Sequence, residues 1–403
     1  MGLHHFSHRF AIVFSLLAGG PAFAADLAAA DDIQSCKSSD RYHNSVAAFY
    51  TCDNALKQKD LSKEDRAELL LGRGEAAYFV GRFDLSSTDL DEALTLNPNL
   101  NEAYLRRAWT RLRTNQYPGA LQDITTLLSQ EPDNVDAHFA IGYLYQDTSE
   151  WQSKTMPAYK RVLELNPNHY LTRFNLAWIF ENYDHQPDKA IAEYDKILSA
   201  SDEDLHKVKM WRDPACLCFD FRGQARFNRA ETIFRMQNYP KALADFDSLV
   251  SDYPKIPGAY VGRGRVYEQL GRFSEELTDV RVALKLDPRW PAQRVDEIDA
   301  LFHLRRYDEA VLVATKFIDS SNYDFARGEA FFWRAYANKA LHHSEESLQD
   351  FEQSFVLSPQ RLNSVLTQLV QSGYYDGGSA DNYSEKARNG LQACILDPEC
   401  AAR

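Results

Sequence analysis

The sequence has no hydrophobic stretch long enough to cross a bilayer. Its longest apolar run, inside residues 1–24, is about nine residues, whereas a spanning helix needs roughly 20. It also lacks the local spacings that mark catalysis: there is no serine nucleophile elbow, no His-Glu-x-x-His helix and no calcium loop. Two glycine-containing stretches, GRGEAAY from Gly72 and GRGRVYEQLG from Gly262, look faintly like phosphate loops, but no strand-like segment precedes either. Positive charge is in deficit, with 45 Lys and Arg against 58 Asp and Glu and a net charge of −13. That balance argues against nucleic acid or an anionic membrane face as the main partner. Beyond the first segment the histidines are scattered, apart from His342 and His343, and no cofactor or metal is expected.

What is present is a repeat. Aligning on a proline that follows an amphipathic segment gives DEALTLNPN (Pro98), TTLLSQEPD (Pro132), RVLELNPN (Pro167), SLVSDYPK (Pro254), VALKLDPR (Pro288) and SFVLSPQ (Pro359). The intervals are 34, 35, 87, 34 and 71 residues, the last holding two repeats, of which the first ends at Asn322 without proline. Within each period small residues sit where two helices would approach closely. PGAYVGRGRVYEQLGRFSEELTDVRVALKLDP supplies Gly264, Tyr267, Gly271, Ala283 and Pro288, and QARFNRAETIFRMQNYPKALADFDSLVSDYP supplies Ala230, Ala242, Phe246 and Pro254.

This pattern resembles the tetratricopeptide repeat, in eight copies between Ala67 and Gln360. The resemblance implies an all-α fold: antiparallel helix pairs stacked into a superhelical solenoid, with the first helix of each pair lining a concave groove. One row of first-helix positions then reads Glu75, Trp109, Tyr143, Trp178, Glu231, Arg265, Asp299 and Tyr336, beside a second row containing Phe139, Phe174 and Phe227. Trp109, Tyr143 and Trp178, with Arg106, Arg113 and Asn175, form the candidate groove for a protein or peptide ligand. The other interpretation of the same aromatics is packing between helices, which is preferred for the Phe139, Phe174 and Phe227 row.

Residues 1–24 have the build of a secretory signal peptide: Arg9, an apolar run, then Ala22 and Ala24 flanking Phe23. A periplasmic or secreted location is therefore expected. In that setting six cysteines in three close pairs, Cys36 with Cys52, Cys216 with Cys218 and Cys394 with Cys400, suggest disulfides, although six cysteines allow fifteen pairings. The first pair would staple a helical cap at 25–66, ahead of repeats one to four (67–200). Cys216 and Cys218 fall in an insertion, 201–222, near His206 and Met210, where structural, redox and copper(I) roles remain open.

After repeats five to eight (223–360), the segment 361–403 changes character. LTQLVQSGYYDGGSADNYSEKARNGLQAC resembles a small helical peptidoglycan-binding module, matching at Leu366, Leu369, Gly373, Tyr374, Tyr375, Gly377, Asp381, Tyr383, Ser384 and Leu391. By resemblance, Tyr374, Tyr375, Asp381 and Tyr383 are the candidate glycan contacts. The sequence departs from the module at Asp381-Asn382, where the family has Asp-Gly, and in its ending CILDPEC. Two roles follow, a terminal cap closed by Cys394 and Cys400 or an anchor to peptidoglycan. The expected molecule is a noncatalytic scaffold with capped ends.

Overall fold

The computed structural model describes residues 32–38, 44–208, 219–377 and 383–400. Among the described residues all regular structure is helical, with no strand. The chain divides into two compact units, one ending at Asn168 and the other beginning at His169.

In the first unit, α1 (Asp32–Ser38) and α2 (Ser45–Ala55) precede three helix pairs. These are α3 (Lys63–Phe79) with α4 (Phe83–Leu96), α5 (Asn101–Arg113) with α6 (Tyr117–Gln130), and α7 (Val135–Tyr145) with α8 (Met156–Leu165). A π-helical turn, Trp151–Thr155, leads into α8. The disulfide Cys36–Cys52 ties α1 to α2, and both sulfurs are sealed against Ala55 and Leu69. The α1–α2 element thus covers the first repeat, whose apolar face would otherwise meet water.

The second unit starts with α9 (Tyr170–Asn182) and α10 (Pro187–Leu198), followed by the short α11 (Asp202–His206). Four further pairs follow: α12 (Phe221–Arg235) with α13 (Tyr239–Asp252), α14 (Pro257–Gln269) with α15 (Phe273–Leu286), α16 (Pro291–His303) with α17 (Tyr307–Ser320), and α18 (Asp324–Ala340) with α19 (Ser344–Leu357). The chain closes with α20 (Pro359–Gln371) and α21 (Glu385–Leu396), and Cys394–Cys400 pins the tail to α21. Two of the three expected disulfides are therefore present, while Cys216, Cys218 and Met210 lie outside the described residues.

The prolines act at both ends of the pairs. Pro98, Pro132, Pro167, Pro254 and Pro288 occupy the turns after second helices, where a missing N–H and a ring clash end the helix. Pro359 differs: it sits in the first turn of α20, where its fixed φ starts a helix instead of stopping one.

The turn within a pair needs one residue in left-handed backbone. Glycine fills it only at Gly81 and Gly271, whereas Asn115, His185, Gln237, Arg305 and His342 take it with φ between 50° and 63°. The third pair avoids the requirement by using its π-helical turn.

Close approach between helices is set by other glycines. A Cβ at Gly142 would lie 2.1 Å from the Tyr159 ring, and one at Gly262 would lie 2.1 Å from the Phe246 ring. Gly264, the residue that the repeat pattern singles out, would accept a Cβ at 3.8 Å. We expect Gly262→Ala to destabilise the second unit by roughly 1–3 kcal/mol through overpacking. Thermal unfolding of Gly262→Ala beside Gly264→Ala checks this; equal losses would place the close contact elsewhere.

An arginine fork joins successive pairs. Arg263 donates through Nε and Nη2 to both carboxylate oxygens of buried Asp279, at 2.7 and 2.8 Å, while Nη1 reaches Asp247 on the preceding second helix at 2.9 Å. The same 16-residue spacing recurs in Arg73–Asp89, Arg107–Asp123, Arg229–Asp245 and Arg334–Asp350. The third arm finds Asp53, Asp91, Asp195 and Thr315 respectively. Burial raises the carboxyl pKa of Asp89, Asp279 and Asp350, against the opposing pull of the paired guanidinium.

Candidate functional site

The candidate groove residues fall in both units: Arg106, Trp109, Arg113 and Tyr143 in the first, Asn175 and Trp178 in the second. In the first unit, Trp109 on α5 and Tyr143 on α7, one repeat apart, bring their ring centroids to 5.3 Å at an edge-on angle. Phe139 lies behind them, 5.8 Å from Trp109 and stacked at 5.7 Å on buried Tyr159. Trp109 is half-buried against the α5–α6–α7 core, and Tyr143 is 37% exposed. The pair thus has a packed side and a solvent side.

Arg106 stands one turn from Trp109 and spans two carboxylates, Glu75 and Glu102, with its Nη2 3.0 Å from each. It lines an open, mainly polar cavity of roughly 230 Å3 together with Asn101, Glu102, Glu131, Asn134 and Asp136. Arg113 is exposed, and its guanidinium lies 5.9 Å from the Phe83 ring centre. In the second unit Asn175 and Trp178 are half-buried on α9, and Trp178 meets Tyr183 edge-on at 5.2 Å. Phe174 and Phe227 pack inward, against Tyr194 and Phe221 and against Phe219 and Phe246.

The continuation of the aromatic row in the second unit is charged. Arg265 donates to both oxygens of Glu231 at 2.9 Å across one repeat, and its guanidinium lies 4.7 Å from the Phe234 ring centre. Next comes Asp299, 3.1 Å from His303, whose ring stacks on Phe273 at 4.3 Å. Tyr336 is buried and donates to Gln368 at 2.8 Å. Around Asp299 several carboxylates crowd. Burial, then Asp299, Glu268 and Asp296, pushes Glu276 up to about 9, and burial with Glu268 and Asp299 pushes Asp296 up to about 7. Sequence inspection missed Glu276 because it sits on a second helix, outside the rows read from first helices.

The C-terminal tyrosines are engaged internally. Tyr374 donates its hydroxyl to Asp397, Tyr375 is buried, and Tyr383 donates to Glu352 at 3.2 Å while its ring meets Phe355 at 5.2 Å. Ser384 caps α21 by accepting from the Ala387 amide, and Lys339 donates to the Cys400 carbonyl at 2.7 Å. Asp381 lies outside the described residues. His206 ends α11, whose Leu205 packs with Phe221. Among the described residues no group of three or more His, Cys, Asp and Glu has metal-holding geometry, and no helix is long and apolar enough to cross a membrane.

Comparison with known proteins agrees with the helix-pair architecture. The tetratricopeptide repeat family matches residues 71–123, 105–152 and 226–291. Those parts of the chain are tetratricopeptide repeats. Over 270 residues it is 25% identical to the CTR9 homolog of Arabidopsis thaliana, covering 59% of this chain and 24% of that protein. Over 89 residues it is 28% identical to the Hsp70-Hsp90 organizing protein 2 of Arabidopsis thaliana, covering 22% of this chain and 16% of that protein. The matched part is thus a quarter or less of either relative's length. Among solved structures it is similar to PilW, a type IV pilus biogenesis factor, with a TM-score of 0.44 at 15% identity over 57% of this chain and 97% of that one. It is also similar to YrrB, described as a tetratricopeptide-repeat protein with an unusual peptide-binding site, with a TM-score of 0.39 at 16% identity over 50% of this chain and 93% of that one.

Proposed function

We propose that this chain is a noncatalytic scaffold that binds a protein or peptide segment along the first helices of its pairs, in the periplasm or outside the cell after removal of residues 1–24. The observation that carries the proposal is the Trp109–Tyr143 pair, held on its inner side by Phe139 and open on its outer side, next to the polar cavity lined by Arg106. Rigid aromatic faces give contact area at small entropic cost, and the neighbouring guanidinium, amide and carboxylate groups can satisfy an extended backbone. Asn175 and Trp178 supply a second patch of the same chemistry on α9. The export component is supported by the signal-like residues 1–24 and by the two disulfides, which persist in oxidising compartments. In this proposal residues 361–403 act as a terminal cap, consistent with the internal bonding of Tyr374, Tyr375 and Tyr383.

The test is affinity capture from a cell-envelope extract with residues 25–403, run beside Tyr143→Ser, a change at a partly exposed ring that leaves the core intact. A partner held by the wild type and weakened about tenfold or more by Tyr143→Ser is the expected result. Equal recovery by both would assign the pair to packing.

A further inference from the structure

We propose that the open cavity between α5, α6 and α7 receives a lysine side chain of the bound segment, while a nearby apolar residue of that segment rests on Trp109 and Tyr143. The inference rests on the scaffold proposal for the aromatic face and adds what the segment must carry. The whole site lies in the first unit.

The cavity, roughly 230 Å3, has room for about seven waters, which is the scale of a side chain and not of a bare ion. Part of its wall is apolar, from buried Leu105 and Leu127. Three carboxylates complete it: Glu102 on α5, Glu131 at the end of α6 and Asp136 on α7. Glu102 and Asp136 are exposed, so a partner's side chain can reach them. Glu131 is held in place, one oxygen accepting from the Asn101 amide at 2.7 Å and the other from the Asn134 amide at 2.5 Å. These two amides hold its carboxyl below the ordinary glutamate range.

The cation on the wall does not balance these acids. Arg106 already serves a fourth carboxylate, Glu75 from α3, because its Nη2 is shared at 3.0 Å between Glu75 and Glu102. Asp136 lies within the field of Arg106 but makes no hydrogen bond or ion pair among the described residues. Glu75, Glu102, Glu131 and Asp136 against Arg106 leave three negative charges, of which the N-termini of α5 and α7 offset about one. A carboxylate ligand is therefore disfavoured, and a cation is drawn in.

The donors select lysine over arginine. A guanidinium fork calls for a carboxylate with both oxygens open. Glu131 has both engaged and Glu102 gives one to Arg106, while at exposed Asp136 water screens a fork. An ammonium carries three rotatable donors that can reach single oxygens on separate helices, and its carbon stem can lie along Leu105 and Leu127. Spacing links the cavity to the aromatic pair. Glu102 precedes Trp109 on α5 by seven residues, as Asp136 precedes Tyr143 on α7, a rise of about 10 Å. An extended segment covers that distance in about three residues, so the lysine and the apolar residue should be about that far apart.

Fluorescence anisotropy tests this with the chain from residue 25 onward and a fluorescein-labelled, amidated peptide, Gly-Ser-Lys-Ser-Ser-Trp-Ser-Gly, made also with norleucine or arginine in place of lysine. At low salt the lysine peptide should bind about tenfold tighter than the norleucine peptide and several-fold tighter than the arginine peptide. Near 0.5 M salt the gain over norleucine should shrink to about threefold or less. Glu102→Gln/Asp136→Asn should abolish the gain while remaining folded by circular dichroism. Asp308→Asn/Glu345→Gln, which removes the same formal charge from exposed positions of the second unit, should keep it. No binding of the lysine peptide, equal affinity for lysine and norleucine or for lysine and arginine, or equal losses in both charge variants would each overturn the proposal. Tyr143→Ser should weaken the lysine and norleucine peptides alike. A norleucine peptide that binds the wild type and is lost by Tyr143→Ser would keep the scaffold proposal even where lysine adds nothing.

Discussion

Arg263→Ala is expected to lower the stability of the second unit by about 3–5 kcal/mol, because it strands a buried carboxylate. Asp279 is 3% exposed, and both of its oxygens are held by the Arg263 fork. Removing the fork also releases Asp247, but that residue is half exposed and its share is small. Arg263→Met combined with Asp279→Leu should recover most of the loss, since a buried pair replaced by apolar side chains of similar size is often neutral. The next repeat is built this way in part: Glu297 and Val313 stand at the positions of Arg263 and Asp279, and Glu297 is served instead by Arg281 and Arg294. Urea unfolding of the single and double variants checks the expectation. A single variant that loses no more than the double one would show that the fork contributes little.

Glu276→Gln should stabilise the second unit, and by more as pH rises. The folded carboxyl titrates at about 9 against an ordinary 4.5, so above pH 4.5 the unfolded chain gives up a proton that the folded chain keeps. Stability from this group is therefore complete below pH 4.5 and declines as pH climbs toward 9. At pH 7 the penalty is on the order of 3 kcal/mol, partly offset in the variant by burying an amide. The difference in melting temperature between Glu276→Gln and wild type should grow between about pH 5 and pH 8. A difference that does not change with pH would mean that Glu276 finds a counter-charge in solution.

The helix pairs were legible in the sequence because they rest on local signals: a 34-residue spacing, prolines and small residues. The first-helix rows were legible for the same reason, and neighbours one repeat apart do meet, as in Trp109 with Tyr143 and Glu231 with Arg265. The arginine forks were not seen, since each joins residues 16 apart on two helices and leaves only a faint Asp-x-Asp trace such as Asp89–Asp91 and Asp245–Asp247. Left-handed turn positions were hidden where Gln237, Arg305 and His342 replace the expected glycine. The tight approach at Gly262 was missed because the repeat pattern points to Gly264, and only the position of the Phe246 ring distinguishes them. In the C-terminal segment, the hydrogen bonds of Tyr374 to Asp397 and of Tyr383 to Glu352 were not legible, because the partners lie 23 and 31 residues away in sequence.

The central claim, that first helices present the binding surface, is tested most directly by site-specific photo-crosslinking in the presence of the captured partner. A benzophenone amino acid is placed at Tyr143 on the first helix α7, or at exposed Thr125 on the second helix α6 of the same unit. Adducts from position 143 and none from position 125 are predicted. Adducts from position 125 with none from position 143 would contradict the account.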